Sequence, residues 1–191
     1  MNSYLVLLRG INVGGKNRIP MLSLKKCLED DGFSNVLTYI ASGNVILESD
    51  KKPHEIKTRI EGILPKCFKL DTKIIKVLVL TGSQLKNIID RKPKGFGEEP
   101  EKYHSDVIFL MNIDIAKAMP VFDPREGVDK IWPGNGVIYS QRLSSRLTKS
   151  RLGKIIGTPV YRFMTIRNWR TTTKLLDLMK KGGEGLKTGD I

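Results

Sequence analysis

The sequence predicts an α+β fold, with a ferredoxin-like (split βαβ) N-terminal subdomain packed on a second α+β subdomain. Helical and strand patterns follow one another as βαββαβ over residues 1–80. Several strands are apolar on both faces, which predicts a sheet covered on both sides. A similar element order returns over residues 81–181, so the second half is expected to be a divergent repeat of the first. Residues 182–191 are expected to form a flexible tail.

The first half carries clear signals for each element. Gly32 is well placed to end a helix and Pro53 to begin one. Either Ser42-Gly43 or Gly43-Asn44 is expected to form a tight turn between two strands. The predicted elements are a strand at 4–9, a glycine-rich loop at 10–20, a helix at 21–31, strands at 36–41 and 44–49, a helix at 53–67 and a strand at 73–80.

The second half repeats this plan with weaker signals. Asn168 is expected to cap the last helix, because asparagine is favoured at the N-cap position. The predicted elements are a linking helix at 84–91, a mobile loop at 92–102, a strand at 106–112, a short helix at 115–119, hairpin arms at 131–132 and 137–139, a helix at 150–156, a strand at 160–166 and a helix at 168–181.

The loop after the first strand is the first candidate site. Residues 10–17 nearly match the phosphate-binding pattern G-x-x-x-x-G-K-[ST]. Asn17 replaces the hydroxyl that would hold a magnesium ion, and Pro20 interrupts the helix that should follow, so a P-loop is excluded. Two interpretations remain: backbone amides that form an anion-binding nest beside Lys16, or a connection that needs glycine for positive φ. For Ser42 and Asn44, turn formation competes in the same way with a role at this site.

A strongly basic segment is the second candidate. Lys plus Arg is 33 and Asp plus Glu is 20, giving a formal net charge of +13. Residues 130–176 contain no acidic residue at all, while their basic residues are mostly arginine, which suits phosphate contacts. A solvated basic face is the simpler explanation. An arginine pair flanking a helix start at Asn168 and Trp169 would instead suit a nucleic acid or phosphorylated small molecule.

Catalytic and metal-binding signatures are sparse. His54 and His104 stand alone without the ligand spacing that a metal requires, so no metal site is predicted. Cys27 and Cys67 lie on predicted apolar helix faces and are expected to be buried and inert. The chain has no long apolar run and no signal-peptide pattern, which predicts a cytoplasmic protein without membrane association. The sequence leaves both the cofactor and the oligomeric state open.

Three segments together resemble a known family. The motifs are Arg9-Gly10-Ile11-Asn12-Val13-Gly14-Gly15-Lys16-Asn17, then Ala41-Ser42-Gly43-Asn44-Val45, and then Arg151-Leu152-Gly153 with Arg167-Asn168-Trp169. They are similar to the bacterial domain-of-unknown-function family 1697. The resemblance implies two α+β subdomains, the first ferredoxin-like, and it implies no reaction.

The predicted function is a non-catalytic module that binds an anionic ligand, a nucleic acid or a phosphorylated small molecule, in a glycine-rich basic cleft. One alternative is a protein-interaction or accessory subunit whose signature residues dock the two subdomains. Another is an enzyme acting on a phosphorylated or carboxylated metabolite, although no catalytic motif is recognisable. The predicted ligand-binding residues are Arg9, Asn12, Gly14, Gly15, Lys16, Asn17, Ser42, Asn44, Arg151, Arg167, Asn168 and Trp169.

Overall fold

The computed structural model describes residues 1–181 and confirms the α+β class, with two four-stranded antiparallel sheets. The predicted tail at 182–191 lies outside the described residues. The first half contains the strands β1 (Asn2–Leu8), β2 (Ser34–Tyr39), β3 (Asn44–Ser49) and β4 (Val77–Thr81), and the helices α1 (Met21–Asp30) and α2 (Pro53–Cys67).

The first sheet has the strand order β2-β3-β1-β4. The short turn after Tyr39 makes β2 and β3 neighbours, with Tyr39 opposite Asn44. The connection through α1 carries the chain past the position that β3 fills, so β3 lies between β1 and β2. All neighbouring strands are antiparallel.

The second half begins with the linking helix α3 (Gly82–Asp90). It continues with β5 (Tyr103–Leu110), α4 (Ile115–Ala118), β6 (Asp129–Pro133), β7 (Val137–Leu143), β8 (Met164–Asn168) and α5 (Trp169–Lys180), and with 3₁₀ segments at Met119–Val121, Ser144–Lys149, Leu152–Gly157 and Pro159–Phe163. Its sheet has the order β6-β7-β5-β8. Strands in corresponding sequence positions therefore occupy corresponding places in the two sheets.

The structure corrects three predicted elements. The helix at 150–156 is wrong: three 3₁₀ segments take the place that α2 has in the first half, because Gly153, Gly157 and Pro159 disfavour a continuous helix. The strand at 160–166 begins only at Met164 for the same reason. The strand at 73–80 is shortened to Val77–Thr81, because the residues before it form a loop.

The chain divides into two compact units. One comprises residues 1–86 with residues 174–181 of α5, and the other comprises residues 87–173. The boundary lies within α3, and residues 174–181, which the sequence assigns to the second subdomain, group with the first unit.

Each unit has its own apolar core on one face of its sheet. In the first, alternate β1 residues pack with the buried face of α2, which carries Ile56, Ile60 and Leu64. In the second, Ile108 and Ile138 pack with residues from the short helical segments. Strand β1 is also buried on its other face, as its uniformly apolar sequence predicts.

The expectation for the two cysteines is wrong. Cys27 of α1 and Cys67 at the end of α2 form a disulfide, with Cα atoms 6.4 Å apart. Cys27 is buried, but Cys67 is exposed. Both helices pack on the same face of the sheet and contact each other side by side, which brings the two sulfur atoms together. The crosslink therefore joins the two helices of the first unit.

The helices within residues 1–181 include none with the length and apolarity needed to cross a membrane.

Candidate functional site

Three loops of the first unit meet beyond the carboxyl end of β1, and we call residues 9–20, 40–43 and 71–76 the loop cluster. The Leu8 N–H donates to the Gly43 carbonyl at 2.8 Å, and the Arg9 N–H donates to the Lys76 carbonyl at 2.9 Å. These bonds fix the β2–β3 turn and the segment before β4 on either side of the glycine loop.

The glycine loop is a small hairpin and not a phosphate-binding loop. Val13 and Lys16 form an isolated β-bridge, and the Lys16 N–H donates to the Val13 carbonyl at 3.1 Å. Gly14 and Gly15 between them have φ values of +58° and +75°. Positive φ at both central residues defines a type I′ turn, for which glycine is well suited. The turn therefore accounts for these two glycines without a ligand.

Asn12 closes the base of the hairpin. Its Nδ2 donates to the carbonyls of Ile19 and Ala41, both at 2.9 Å, and its Oδ1 accepts the Ile19 N–H at 2.8 Å. The loop also anchors itself in the core through Ile11 and Ile19, which are both buried. The amide of Asn12 thus joins the hairpin to the β2–β3 turn.

Asn17 joins the hairpin to the segment before β4. Its side chain is buried, its Nδ2 donates to the Gly10 carbonyl at 3.0 Å, and its Oδ1 accepts the N–H groups of Asp71 and Thr72 at 2.9 and 3.2 Å. Its own N–H donates to the Asp71 carboxylate at 2.5 Å. One backbone amide that could have faced an anionic ligand therefore already binds a carboxylate of the protein.

The second motif also has a local structural role. Asn44 is fully buried, and its Nδ2 donates to the Tyr39 carbonyl at 3.0 Å and the Ser42 hydroxyl at 2.9 Å. Gly43 has φ +78°, and a Cβ atom there would lie 2.9 Å from the Cβ of Leu8. This turn consequently requires glycine for both its conformation and its close approach to β1.

The exposed part of the loop cluster is cationic. Lys16, Arg18 and Lys73 are exposed, and within residues 1–181 none of them has a carboxylate within salt-bridge distance. The Arg18 guanidinium lies beside the turn, since a Cβ on Gly15 would be 3.8 Å from its Nη2. Lys73 was missed by the sequence analysis because it was assigned to a strand, whose side chains would alternate between faces.

Arg167, Asn168 and Trp169 lie together in the second unit, at the end of β8. Asn168 caps α5 as predicted: its Oδ1 accepts the Arg170 N–H at 2.9 Å, and its Nδ2 donates to the Ser105 carbonyl at 3.2 Å. Trp169 packs edge-on against Phe96, with ring centroids 5.2 Å apart. The tryptophan is therefore engaged in an aromatic cluster.

The Arg167 side chain is buried. Burial lowers the pKa of its guanidinium to about 10, so the group stays charged at neutral pH. Its Nη1 donates to the Thr165 hydroxyl at 2.9 Å and to the Ile166 carbonyl at 2.7 Å. Convergence of this residue with the glycine loop stays a prediction.

Arg151 lies elsewhere in the second unit. Its N–H donates to the Asp129 carboxylate, at the start of β6, and its guanidinium pairs with both oxygens of Asp123 at 3.2 Å. Because β6 and β8 are the opposite edges of this sheet, Arg151 is separated from Arg167.

The buried carboxylate of Asp129 connects the start of β6 to the backbone at Arg125 and Arg151. Burial would raise the pKa of its carboxyl group, but hydrogen bonds from the Ser150 side chain and the N–H groups of Arg151 and Arg125 outweigh this and lower it. Its Oδ1 has no hydrogen-bond partner in the described chain.

Several bases of the segment 130–176 are neutralised by acids outside it. Arg142 pairs with Asp106 at 2.8 Å, and Arg151 and Lys154 both pair with Asp123. These pairs join residues distant along the chain, so the sequence alone does not reveal them. In the folded unit, the segment 130–176 therefore carries less unpaired positive charge than its sequence indicates.

No group of three or more acidic, histidine or cysteine side chains is arranged for metal binding within residues 1–181. His104 lies 3.3 Å from Asp106, on the same strand.

Comparison with known proteins identifies a family without a known activity. A solved structure, "The structure of conserved bacterial protein SP0830 from Streptococcus pneumoniae", matches with a TM-score of 0.78 and 23% identity over 93% of this chain and 98% of that one. At this identity, the match shows a shared fold alone. No curated protein matches the chain. The family model described as "Protein of unknown function (DUF1697)" matches residues 1–139. Because that match covers most of the chain, the protein belongs to the DUF1697 family, as its motifs predict.

Proposed function

We propose that this chain is a non-catalytic module that binds an anionic polymer, a nucleic acid, through the exposed cations of the loop cluster. The observation that carries the proposal is that Lys16, Arg18 and Lys73 extend from loops of fixed shape without an acidic partner in the described chain. Cations on a pre-organised surface lose less conformational freedom on binding.

The shape of the loop cluster favours a polymer over a small phosphorylated ligand. Small ligands bind in concave sites that remove most of their surface from water. The hairpin tip is instead exposed, and the Asn17 amide is occupied by Asp71. Phosphates along a nucleic-acid backbone can bind such an exposed set of side chains through charge alone.

The test is fluorescence anisotropy with labelled single-stranded RNA and DNA over a series of salt concentrations. The triple variant Lys16→Glu/Arg18→Glu/Lys73→Glu should bind more weakly. The slope of log K against log salt concentration should also become shallower, by roughly 0.7 to 0.9 for each of about two to three lost phosphate contacts. A control variant with equal charge change combines Lys26→Glu, Lys117→Glu and Lys180→Glu, all exposed positions outside the loop cluster.

Two results would overturn the proposal. One is the absence of binding by the natural protein near 50 mM salt, where backbone contacts are strong. The other is an equal loss of affinity in the control variant, which would assign binding to net charge instead of the loop cluster.

A second candidate, an accessory subunit that binds another protein, is favoured by apolar side chains on the same loops. Val13 is 66% exposed, Ile74 59% and Ile40 41%. Several exposed apolar residues on one surface are typical of protein contacts. A photo-crosslinking residue at position 13 should capture a partner protein in cells, whereas one at position 180 should not; equal capture at both would refute this candidate.

A further inference from the structure

A pocket in the second unit lies under the 3₁₀ segment Leu152–Gly157. Its volume is about 130 Å³, and it opens to solvent beside Ile156, which is 63% exposed. An engineered apolar cavity of about 150 Å³ holds benzene, so this pocket can accept an aliphatic group of about five carbons.

The pocket exists because this sheet is covered differently from the first. In the first unit, the 15-residue helix α2 connects the third and fourth strands, and Ile56, Ile60 and Leu64 on it are completely buried. In the second unit, the same connection consists of 3₁₀ segments, in which Leu152 and Ile155 are buried, while Val160 and Tyr161 pack against the core only partly buried. The covering is therefore incomplete above one end of the sheet.

The walls of the pocket change character along the strands. Ile108 of β5 lies directly opposite Ile166 of β8. Two residues earlier on β5, Asp106 lies directly opposite Ser140 of β7. All four residues line the pocket, with Ile155 above them. The pocket thus has an apolar end formed by isoleucines and a polar end formed by an acid and a hydroxyl.

The polar end contains a hydroxyl that can bind a ligand. Ser140 is 3% exposed, and its side chain makes no hydrogen bond to any residue that the structure describes. Within residues 1–181, Asp129 Oδ1 is the one buried side-chain polar atom without a partner, so the Ser140 hydroxyl is still reached by solvent through the pocket. A polar group placed in the pocket would take the place of that solvent as its hydrogen-bond partner.

The charges at the polar end select an uncharged ligand. Asp106 and Arg142, the two charged residues that line the pocket, are bonded to each other at 2.8 Å. Their charges cancel, so an ion in the pocket would lose its hydration without gaining an unpaired opposite charge. A hydroxyl or amide head can instead bond to Ser140 and to the remaining N–H donors of Arg142.

We propose that this pocket binds a short uncharged aliphatic alcohol or amide, with its hydrocarbon end between Ile108, Ile155 and Ile166 and its head against Ser140. The ligand is a small molecule, and its site is distinct in chemistry from the cationic loop cluster of the proposed function.

The test uses four probes that share one hydrocarbon group: isoamyl alcohol, isovaleramide, isovalerate and isoamylamine. Binding is followed by the NMR shifts of isoleucine methyl groups in the full chain, with the core residue Ile60 of the first unit as an internal control. The alcohol and the amide should shift the methyls of Ile108, Ile155 and Ile166 with a Kd in the millimolar range, and the two ions should bind about tenfold more weakly.

Matched glycine substitutions locate the binding. A Cβ at Gly153 or at Gly157 would have no atom within 4 Å, but only Gly153 lines the pocket. Gly153→Leu should abolish the methyl shifts caused by the probes, whereas Gly157→Leu should preserve them. Ser140→Ala should weaken binding of the alcohol about two- to tenfold.

Three outcomes would overturn the proposal: no methyl shift with either neutral probe, an ion that binds as tightly as the neutral probes, or shifts that persist in Gly153→Leu. The methyl spectrum of each variant also reports whether it is folded, so a misfolded variant is recognised and replaced by the smaller change Gly153→Val.

Discussion

Removing the crosslink between α1 and α2 should destabilise the first unit substantially. The disulfide joins residues separated by 40 positions. In the chain-entropy description, closing a loop of that length in the unfolded chain corresponds to about 4 kcal/mol at 25 °C, at the upper end of the usual range. Cys67→Ala is the cleaner perturbation, because Cys67 is exposed and its replacement leaves no cavity, whereas Cys27 is buried.

The assay is urea unfolding of the natural chain and of Cys67→Ala, each with and without a reducing agent. The free energy of unfolding of the oxidised natural chain should be about 3 to 4 kcal/mol higher than that of the other three samples. Cys27→Ala should lose slightly more than Cys67→Ala, because it also removes a buried sulfur atom. The double variant should be no less stable than Cys27→Ala, since either single change already breaks the bond.

Two free thiols in the natural chain under native, non-reducing conditions would show that the crosslink is absent. An equal loss of stability in Cys67→Ala and in the natural chain on adding the reducing agent would also contradict the prediction, because that variant has no disulfide to lose.

Four further substitutions examine single residues. Asn17→Ala removes the side-chain bonds that join the hairpin to Gly10 and the 71–72 segment, and it should cost about 2 to 3 kcal/mol by urea unfolding. Gly14→Ala should cost about 1 kcal/mol for its positive φ, and Gly43→Ala clearly more, because its Cβ would also meet the side chain of Leu8. The pKa of Asp129 is lower in the folded protein than the value of about 3.9 in the unfolded chain. The charged carboxylate therefore stabilises the fold fully at pH values above the unfolded pKa, and this stabilisation is lost as the pH falls through the folded pKa. Asp129→Asn should remove this dependence and flatten the acid side of the plot of stability against pH.

The sequence predicts elements well where local chemistry decides the conformation. The helix α2 begins at Pro53 and ends at Cys67, and β3 spans Asn44–Ser49, as predicted. Proline in the first turn and a tight turn before the strand set these limits through backbone geometry alone. The prediction of a helix at 150–156 is wrong. The spacing of its apolar residues suits a helix, but Gly153 and the later Pro159 favour short 3₁₀ turns.

Features of the site that depend on tertiary structure could not be predicted in this way. The pairing of Cys27 with Cys67 depends on how two helices lie over one sheet. The separation of Arg151 from Arg167 depends on strand order, because Asp129 on β6, which binds the Arg151 N–H, and Arg167 on β8 lie at opposite edges of the sheet. The glycine loop lies between these cases: glycine was predicted to serve either a nest or a turn, and only the φ values and the hydrogen bond at Lys16 identify the turn.

Unequal covering of two sheets with the same strand order predicts unequal local stability. The helix α2 has 15 residues with consecutive backbone hydrogen bonds, whereas residues 144–163 form three separate 3₁₀ segments with poorer bond geometry. Local opening is easiest where few backbone bonds and few buried side chains resist it. In hydrogen exchange monitored by mass spectrometry, peptides from 144–163 should exchange much faster than peptides from 53–67 of the same chain.

The same hydrogen-exchange experiment tells whether the 3₁₀ covering over the pocket opens readily or is rigid. If the 3₁₀ covering opens readily, isovaleramide bound beneath it should slow exchange at 152–157 and leave exchange at 53–67 unchanged, because binding stabilises only the closed arrangement. Equal protection of the two segments without the probe would mean that the short segments form a covering as stable as the helix. The pocket would then be a permanently shaped cavity in a rigid unit, and its selectivity would come from its walls alone.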